Sequence, residues 1–233
     1  ATGLFSLIYQ IVWQRYLTYL VGADSLSSVI TLTVFLTALS FGYWLAGRFS
    51  AKIKSKEIFY YGLVELIIGF WAILFPKLFE ISLSLVATGY FHDLYGDVLL
   101  AVFLTAIPAT LMGTTLPFLT QGLSQSFQTS SRTHAYVYSI NTIGACLGTL
   151  LAGFILIQQL GLATTIYIVG GLNICFGVLM LFKSRNLVSF NNQPSIEKTS
   201  SDLAADYKVN KIPLLVVAAC SGYLLIRSIE RGG

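Results

Sequence analysis

The chain has 233 residues, of which 55% are hydrophobic and 10% charged, and its formal net charge is +4. The mean hydropathy is +0.76. Soluble domains carry roughly 25% charged residues, so this composition excludes an ordinary soluble enzyme, a nucleic-acid binder and a disordered chain. It is typical of a polytopic membrane protein, in which each span needs ~20 apolar residues.

The order of the apolar segments predicts an all-α membrane helix bundle with six spans and a partial seventh. The predicted spans are residues 3–21, 26–47, 58–75, 98–119, 135–157 and 162–182. Pro76 is expected to end the third span, and residues 77–90 to lie along the interface or form a short amphipathic helix. Residues 158–161 are expected to form a short turn between the fifth and sixth spans.

The chain is predicted to fall into three parts. Residues 1–182 form the bundle, residues 183–211 a polar cytoplasmic linker, and residues 212–233 a short apolar segment. That segment is too short to cross ~30 Å of hydrocarbon as a helix, and we expect it to be the start of a truncated second half. Ten Lys and Arg residues follow the even-numbered spans, whereas Lys77 alone follows an odd-numbered one. The N-terminus and the even-numbered loops are therefore expected in the cytoplasm.

Glu65 is the sharpest single feature, because an acidic residue inside an apolar span is costly and needs a partner. It is either a site for a cation or proton, or half of a structural pair with Arg15, Gln10 or a hydroxyl group. Arg15 is either an interfacial residue among aromatic side chains or an inward-facing group that pairs with Glu65 or holds an anion. The expected difference in depth argues against a direct Arg15–Glu65 pair.

The fifth predicted span has small residues at a spacing of four, namely Gly144, Gly148 and Ala152. Such residues allow close helix packing in lipid, either within the bundle or between subunits. Asn141 and Asn173 are amides that more often join helices than bind ligands. Thr114 lies in a polar, kinkable part of the fourth span that could line a cavity.

The sequence contains no motif that indicates catalytic chemistry. The three cysteines lie in apolar segments without CxxC spacing, and neither a nucleotide fingerprint nor a nucleophile motif occurs. His92, Asp93 and Asp97 are expected to be solvated loop residues rather than metal ligands. We therefore predict no metal, no cofactor and no catalytic residue in this chain.

Three segments resemble the membrane region of the membrane-fused spermidine synthase family. They are GLFSLIYQIVWQRYLTYLVG at residues 3–22, PATLMGTTLP at residues 108–117 and YSINTIGACLGTLLAGFILIQQLGL at residues 138–162. The resemblance implies half of a major-facilitator-like bundle in a bacterial cytoplasmic membrane, joined in that family to a cytosolic aminopropyltransferase domain. Residues of such a catalytic domain are not found here, so this chain alone is not expected to transfer an aminopropyl group.

Three functions stay open at this point. The first is a membrane domain that anchors a spermidine-synthase-like protein and binds or passes a cationic amine such as a polyamine. In it Glu65 supplies the counter-charge, and Tyr9, Gln10, Arg15, Thr114 and Asn141 complete the binding site. The second is a half-transporter of the major-facilitator type that pairs with another half or a copy of itself. The third is an accessory subunit that packs within a larger membrane complex.

Overall fold

The computed structural model describes residues 2–21, 24–50, 53, 56–87, 94–123 and 127–190, which are helical apart from Ile53 and Lys56. The helices are α1 (Thr2–Val21), α2 (Asp24–Ser50), α3 (Glu57–Ala87), α4 (Leu94–Leu123), α5 (Phe127–Leu151) and α6 (Ile157–Phe190), with a π-helical segment at Ala152–Leu156. The all-α prediction is confirmed for these residues. The chain divides into two units, residues 1–192 and 193–233. The predicted linker beyond residue 190 and the last apolar segment lie outside the described residues.

Four segments are long and apolar enough to cross a membrane. They are Ser28–Phe49, Glu57–Ala87, Val98–Leu123 and Thr133–Ser184. Large apolar side chains such as Leu36, Phe70 and Phe182 are more than half exposed, as expected of surfaces that face lipid rather than water. These features are those of an integral membrane protein.

Helix α1 is missing from these four segments because it is the central helix of the bundle. It contacts all five other helices, and Val12, Trp13 and Leu17 are completely buried. Gln10, Gln14 and Arg15 lower its hydropathy. A helix surrounded by protein needs less apolar character than one surrounded by lipid, which explains why hydropathy alone undervalues this segment.

The predicted end of the third span at Pro76 is wrong. Helix α3 continues through Pro76 to Ala87, so the separate interfacial segment expected at residues 77–90 is replaced by a longer helix as far as residue 87. Beyond the proline, Phe79 is buried against Tyr16 of α1, with ring centroids 4.9 Å apart. Packing of this second half against α1 offsets the backbone hydrogen bond that proline removes.

The fourth candidate span, Thr133–Ser184, folds back on itself. Helix α5 runs parallel to α1, because Leu4 meets Gly148 while the other end of α1 meets Ile157. Helix α6 runs antiparallel to α3, because Gly62 meets Gly177 and Gly69 meets Gly170. The reversal occurs at Gly161, whose backbone angles of φ 76° and ψ 175° belong to a region that is essentially restricted to glycine. Gly161 lies inside the predicted 158–161 turn.

Three helix pairs have the most extensive contacts: α2 with α4, α3 with α6 and α1 with α5. In each pair, glycines of both helices lie against the partner helix. In the first pair, a Cβ atom on Gly42 would strike the Thr110 carbonyl and one on Gly113 would strike the Leu39 carbonyl. In the last pair, Gly148 and Gly3 approach backbone oxygens in the same way. Such close approach allows extensive van der Waals contact where lipid supplies no hydrophobic driving force.

These helix pairs relate α1–α3 to α4–α6 as two repeats. Exchanging the two triplets converts the α2–α4 pair into the α5–α1 pair and leaves the α3–α6 pair unchanged. The sequence agrees: Gly-x-x-Leu-Ala-Gly occurs at residues 42–47 and 148–153, and Gly-x-x-Glu/Asn-x-x-x-Gly at residues 62–69 and 170–177. Because α3 and α6 run in opposite directions, the repeats are inverted relative to each other.

The repeated motif gives a matched test of close packing on a single helix. Gly42→Ala should destabilise the protein by about 1–3 kcal/mol, because its methyl group meets the α4 backbone. Gly47→Ala should be neutral or slightly stabilising, because a Cβ there meets nothing within 4 Å. Thermal unfolding of the detergent-purified variants measures both. Equal stability of the two would contradict the α2–α4 contact.

Candidate functional site

The candidate site is centred on Glu65, whose side chain is 1% exposed and lies beside the first turn of the central helix α1. Glycines on both sides of it, Gly62 and Gly69, let α6 approach the α3 backbone. Val64 and Ile68 complete the buried face of the helix. The acidic side chain is therefore enclosed by protein on all sides, and its compensation must come from polar groups nearby.

Two hydroxyl groups form a short hydrogen-bonded chain to this carboxylate. The Thr2 hydroxyl donates to Glu65 Oε1 at 2.6 Å, and the Tyr61 hydroxyl lies 2.6 Å from the same Thr2 oxygen. A threonine hydroxyl has one proton to donate. Since that proton is directed to Glu65, the Tyr61 hydroxyl must donate to Thr2. Both protons therefore point towards Glu65, an arrangement that favours its ionised form and offsets part of the cost of burying it.

Asn173 of α6 occupies the repeat position equivalent to Glu65 and contacts it directly. Its Nδ2 donates to the Glu65 backbone carbonyl at 3.3 Å, and its side chain is completely buried. By hydrogen-bond geometry, the Asn173 Oδ1 and the Tyr9 hydroxyl, both fully enclosed, have no partner among the described residues, although the two side chains lie close enough to interact. Tyr9 lies close enough to interact electrostatically with Glu65. The carboxylate and the Asn173 Oδ1 can only accept hydrogen bonds, and the Tyr9 hydroxyl can accept as well as donate, so the site offers acceptors to a ligand that donates.

Aromatic rings continue from this site along α1 and α3. Tyr9 stacks on Trp13 with ring centroids 5.5 Å apart, and Trp13 stacks on Phe75 at 5.3 Å. The Trp13 indole N–H also lacks a hydrogen-bond partner among the described residues. The faces of such rings attract cations, so the rings and the oxygens favour the same sign of ligand charge.

Within the described residues, no Lys, Arg or His side chain forms an ion pair with Glu65. The ion pair found there joins Lys77 to Glu80 at 3.0 Å, and both side chains are more than 60% exposed. Among the partners considered for Glu65 from the sequence, the structure therefore selects a hydroxyl. Arg15 is exposed and lies in a groove beside the start of α6, at the opposite end of α1 from Thr2.

The other residues predicted for the site are spread around it. Gln10 is half-buried on α1. Thr114 is buried, and its hydroxyl donates to the Leu111 carbonyl of its own helix at 2.7 Å. Asn141 lies beside Gly3, one residue from Thr2. Of the six predicted residues, the structure brings Glu65 and Tyr9 together.

The predicted packing residues of the fifth span lie against α1 of the same chain. A Cβ on Gly148 would strike the Leu4 carbonyl, and one on Gly144 would lie 3.3 Å from the Leu4 nitrogen. Ala152 is completely buried at the start of the π-helical segment. This stripe is therefore occupied inside the bundle, where it is not open to contact another subunit.

Sequence reasoning missed Thr2 and Tyr61 and treated Asn173 as a helix-joining amide. Tyr61 carried a usable signal, because it precedes Glu65 by four residues and so shares its helix face. Thr2 carried none, since its role depends on how α1 packs against α3. His92 and Asp93 lie outside the described residues, within which no group of three potential metal ligands occurs.

Comparison with protein-family models, with curated proteins and with solved structures found no match to this chain. The function of this chain is therefore inferred from the geometry of the buried site.

Thr2→Val should destabilise the protein by about 1–3 kcal/mol, because it leaves the Glu65 acceptor and the Tyr61 donor without a buried partner. Thr105→Val is the matched control, since Thr105 is also buried but its hydroxyl donates to the Ala101 carbonyl of its own helix. It should cost less. Thermal unfolding compares the two.

A double-mutant cycle makes the same test specific to the carboxylate. In a Glu65→Met background, Thr2→Val should lose at least half of its effect, because the acceptor is already gone. Strict additivity of the two substitutions would show that Thr2 acts independently of Glu65.

Proposed function

We propose that this chain is the membrane domain of a spermidine-synthase-like protein and that it binds a protonated amine, such as a polyamine, at Glu65. The observation that carries the proposal is an enclosed carboxylate beside the unsatisfied oxygens of Tyr9 and Asn173. A primary ammonium group has three donors and no acceptor. One such group could therefore satisfy all three oxygens and offset the charge that the bundle encloses.

The aromatic rings near Glu65 favour a ligand that has apolar segments between its charged groups. A polyamine alternates cationic nitrogens with short apolar segments. The Tyr9 and Trp13 rings, which are buried and stacked on each other, would pack against such methylene groups once a local separation of the helices uncovers a ring face. Because Glu65 is 1% exposed, an amine reaches it only when α1 and α3 separate locally, so binding should be slow compared with diffusion.

The proposed bundle has six spans and forms half of a major-facilitator-like fold. Two features support this number. The Thr133–Ser184 segment has 52 residues, which as one straight helix would be ~78 Å long, and it reverses at Gly161. Helix α1, with its 20 residues, is also long enough to span when its neighbours shield its polar side chains.

Equilibrium binding of radiolabelled spermidine to the purified protein in lipid nanodiscs tests the amine site. Glu65→Gln keeps the shape but removes the charge, and should weaken binding at least about tenfold through loss of a charge-assisted hydrogen bond. Glu80→Gln is the control on the same helix, since Glu80 is exposed and pairs with Lys77. It should bind as the unmodified protein does.

Failure of the unmodified protein to bind spermidine, or unchanged binding by Glu65→Gln, would contradict the amine site. The accessory-subunit alternative makes the opposite prediction. In that case Glu65→Gln has little effect, whereas Gly148→Leu, which strikes the α1 backbone at Leu4, prevents assembly.

The inverted repeat favours a second candidate, a half-transporter that functions as a pair of such bundles. Transporter sites commonly lie between inverted repeats near the membrane centre, and Glu65 contacts its repeat equivalent Asn173. Spermidine uptake into proteoliposomes separates the two candidates. Uptake that is lost in Glu65→Gln and kept in Glu80→Gln favours transport, whereas binding without uptake favours the anchoring domain.

A further inference from the structure

A groove at the opposite end of α1 from Thr2 contains the cationic side chain of Arg15, which takes no part in the proposed amine site. Its volume is about 450 Å³, and its lining includes Arg15, Thr18, Tyr19, Gly153, Gln158 and Leu162. The lining has no acidic residue, and Arg15 forms no ion pair with any described residue. The groove thus presents a fixed positive charge that the described bundle does not compensate.

The opposite wall of the groove is formed where the helix is irregular. The π-helical segment begins at Ala152, and the Gln158 side-chain amide donates to the Gly153 carbonyl at 3.1 Å. Gly153 has open space where a side chain would lie. Segments of π-helix frequently mark functional sites. Here the irregular turn leaves room beside Arg15 that a continuous helix with a larger side chain would fill.

The helical arm that starts after Gly161 adds a second feature that favours anions. Gly161 interrupts the regular helix, and Leu162, the first residue beyond it, lines the groove with Arg15. The first N–H groups of a helical arm lack partners in the helix, and they carry the positive end of its dipole. A guanidinium group and the first turn of a helix are elements from which phosphate sites are built, and Arg15 and Leu162 line the same groove.

The surroundings of the groove indicate that the anion belongs to a lipid. Phe154, Ile155 and Leu160, each within two residues of a groove residue in the sequence, are 41–70% exposed. Tyr19 is 71% exposed, as are many aromatic residues at the level of lipid headgroups. Arg15 lies six residues before the end of α1, or ~9 Å along the helix. A phosphate at that level has acyl chains that can cover the apolar side chains.

We propose that this groove binds the phosphate group of an anionic phospholipid, with Arg15 as the bidentate cation. This site is distinct from the amine site, because it uses a different end of α1 and a ligand of opposite charge. A free phosphate ion would satisfy the same guanidinium but would leave the exposed side chains of Phe154, Ile155 and Leu160 uncovered.

The test is lipid binding by the whole chain purified in a neutral detergent, measured by native mass spectrometry and by thermal unfolding. Phosphatidylglycerol should bind and stabilise the protein more than phosphatidylcholine does. Arg15→Gln should weaken phosphatidylglycerol binding at least about tenfold, the effect of losing a charge-assisted contact. Arg48→Gln is the control, because Arg48 is an exposed arginine on α2 that lies over the Trp44 ring. It should keep full affinity.

Arg15→Lys serves as a second variant if the glutamine variant is unstable. It keeps the charge but loses the two-pronged contact, so binding should weaken several-fold. Equal affinity of the unmodified protein and either Arg15 variant would overturn the proposal, as would equal binding of the two lipids. Inorganic phosphate that gives the same Arg15-dependent stabilisation would replace the lipid with a free anion.

Discussion

Close approach of helix backbones at glycine residues is the constraint on which the rest of this structure depends. In lipid, apolar side chains gain little by contacting each other rather than acyl chains, so packing and polar contacts must hold the helices together. The three largest helix pairs all meet where glycines face the partner's backbone. Loss of one such contact would separate two helices and, through the shared central helix α1, loosen the others.

The same close approach creates the buried site. Gly62 and Gly69 bring α6 against α3 at the level of Glu65, where water is excluded and Asn173 reaches the Glu65 carbonyl. The repeat places a carboxylate and an amide in equivalent positions, yet only Glu65 receives the Thr2 and Tyr61 hydroxyl chain. The fold is nearly symmetric at this point, while its charge is not, and the proposed cation site rests on that difference.

Much of the fold could be read from the sequence, because long apolar segments separated by polar loops have few other arrangements. The turn containing Gly161 is predictable because Gln158, Gln159 and Gly161 separate two apolar segments. The predicted third span ends too early because Phe79 and Tyr16, whose contact accompanies the second half of α3, are far apart in the sequence. The repeat could have been found from the paired Gly-x-x-Leu-Ala-Gly motifs at residues 42–47 and 148–153.

The site was less predictable than the fold, for a physical reason. Burying an acidic residue in an apolar span costs free energy, so the sequence alone identifies Glu65 as a candidate site residue. Its partners are ordinary residues whose roles arise from packing alone: Thr2 donates because the first turn of α1 lies beside α3. Arg15 shows the converse. It is as conspicuous in the sequence as Glu65, yet it lies about 13 residues or ~20 Å along the α1 axis from Thr2, the α1 residue that bonds to Glu65.

That separation gives α1 a dual role. At one end its Thr2 hydroxyl closes the bundle over Glu65, and at the other end its Arg15 forms one wall of the groove beside α6. Both sites depend on the position of this one buried helix. A movement of α1 away from α3 that admits an amine must also alter its contact with α5 and α6 at the groove. A phospholipid seated beside Arg15 would therefore oppose or favour amine entry according to which position of α1 it binds more tightly.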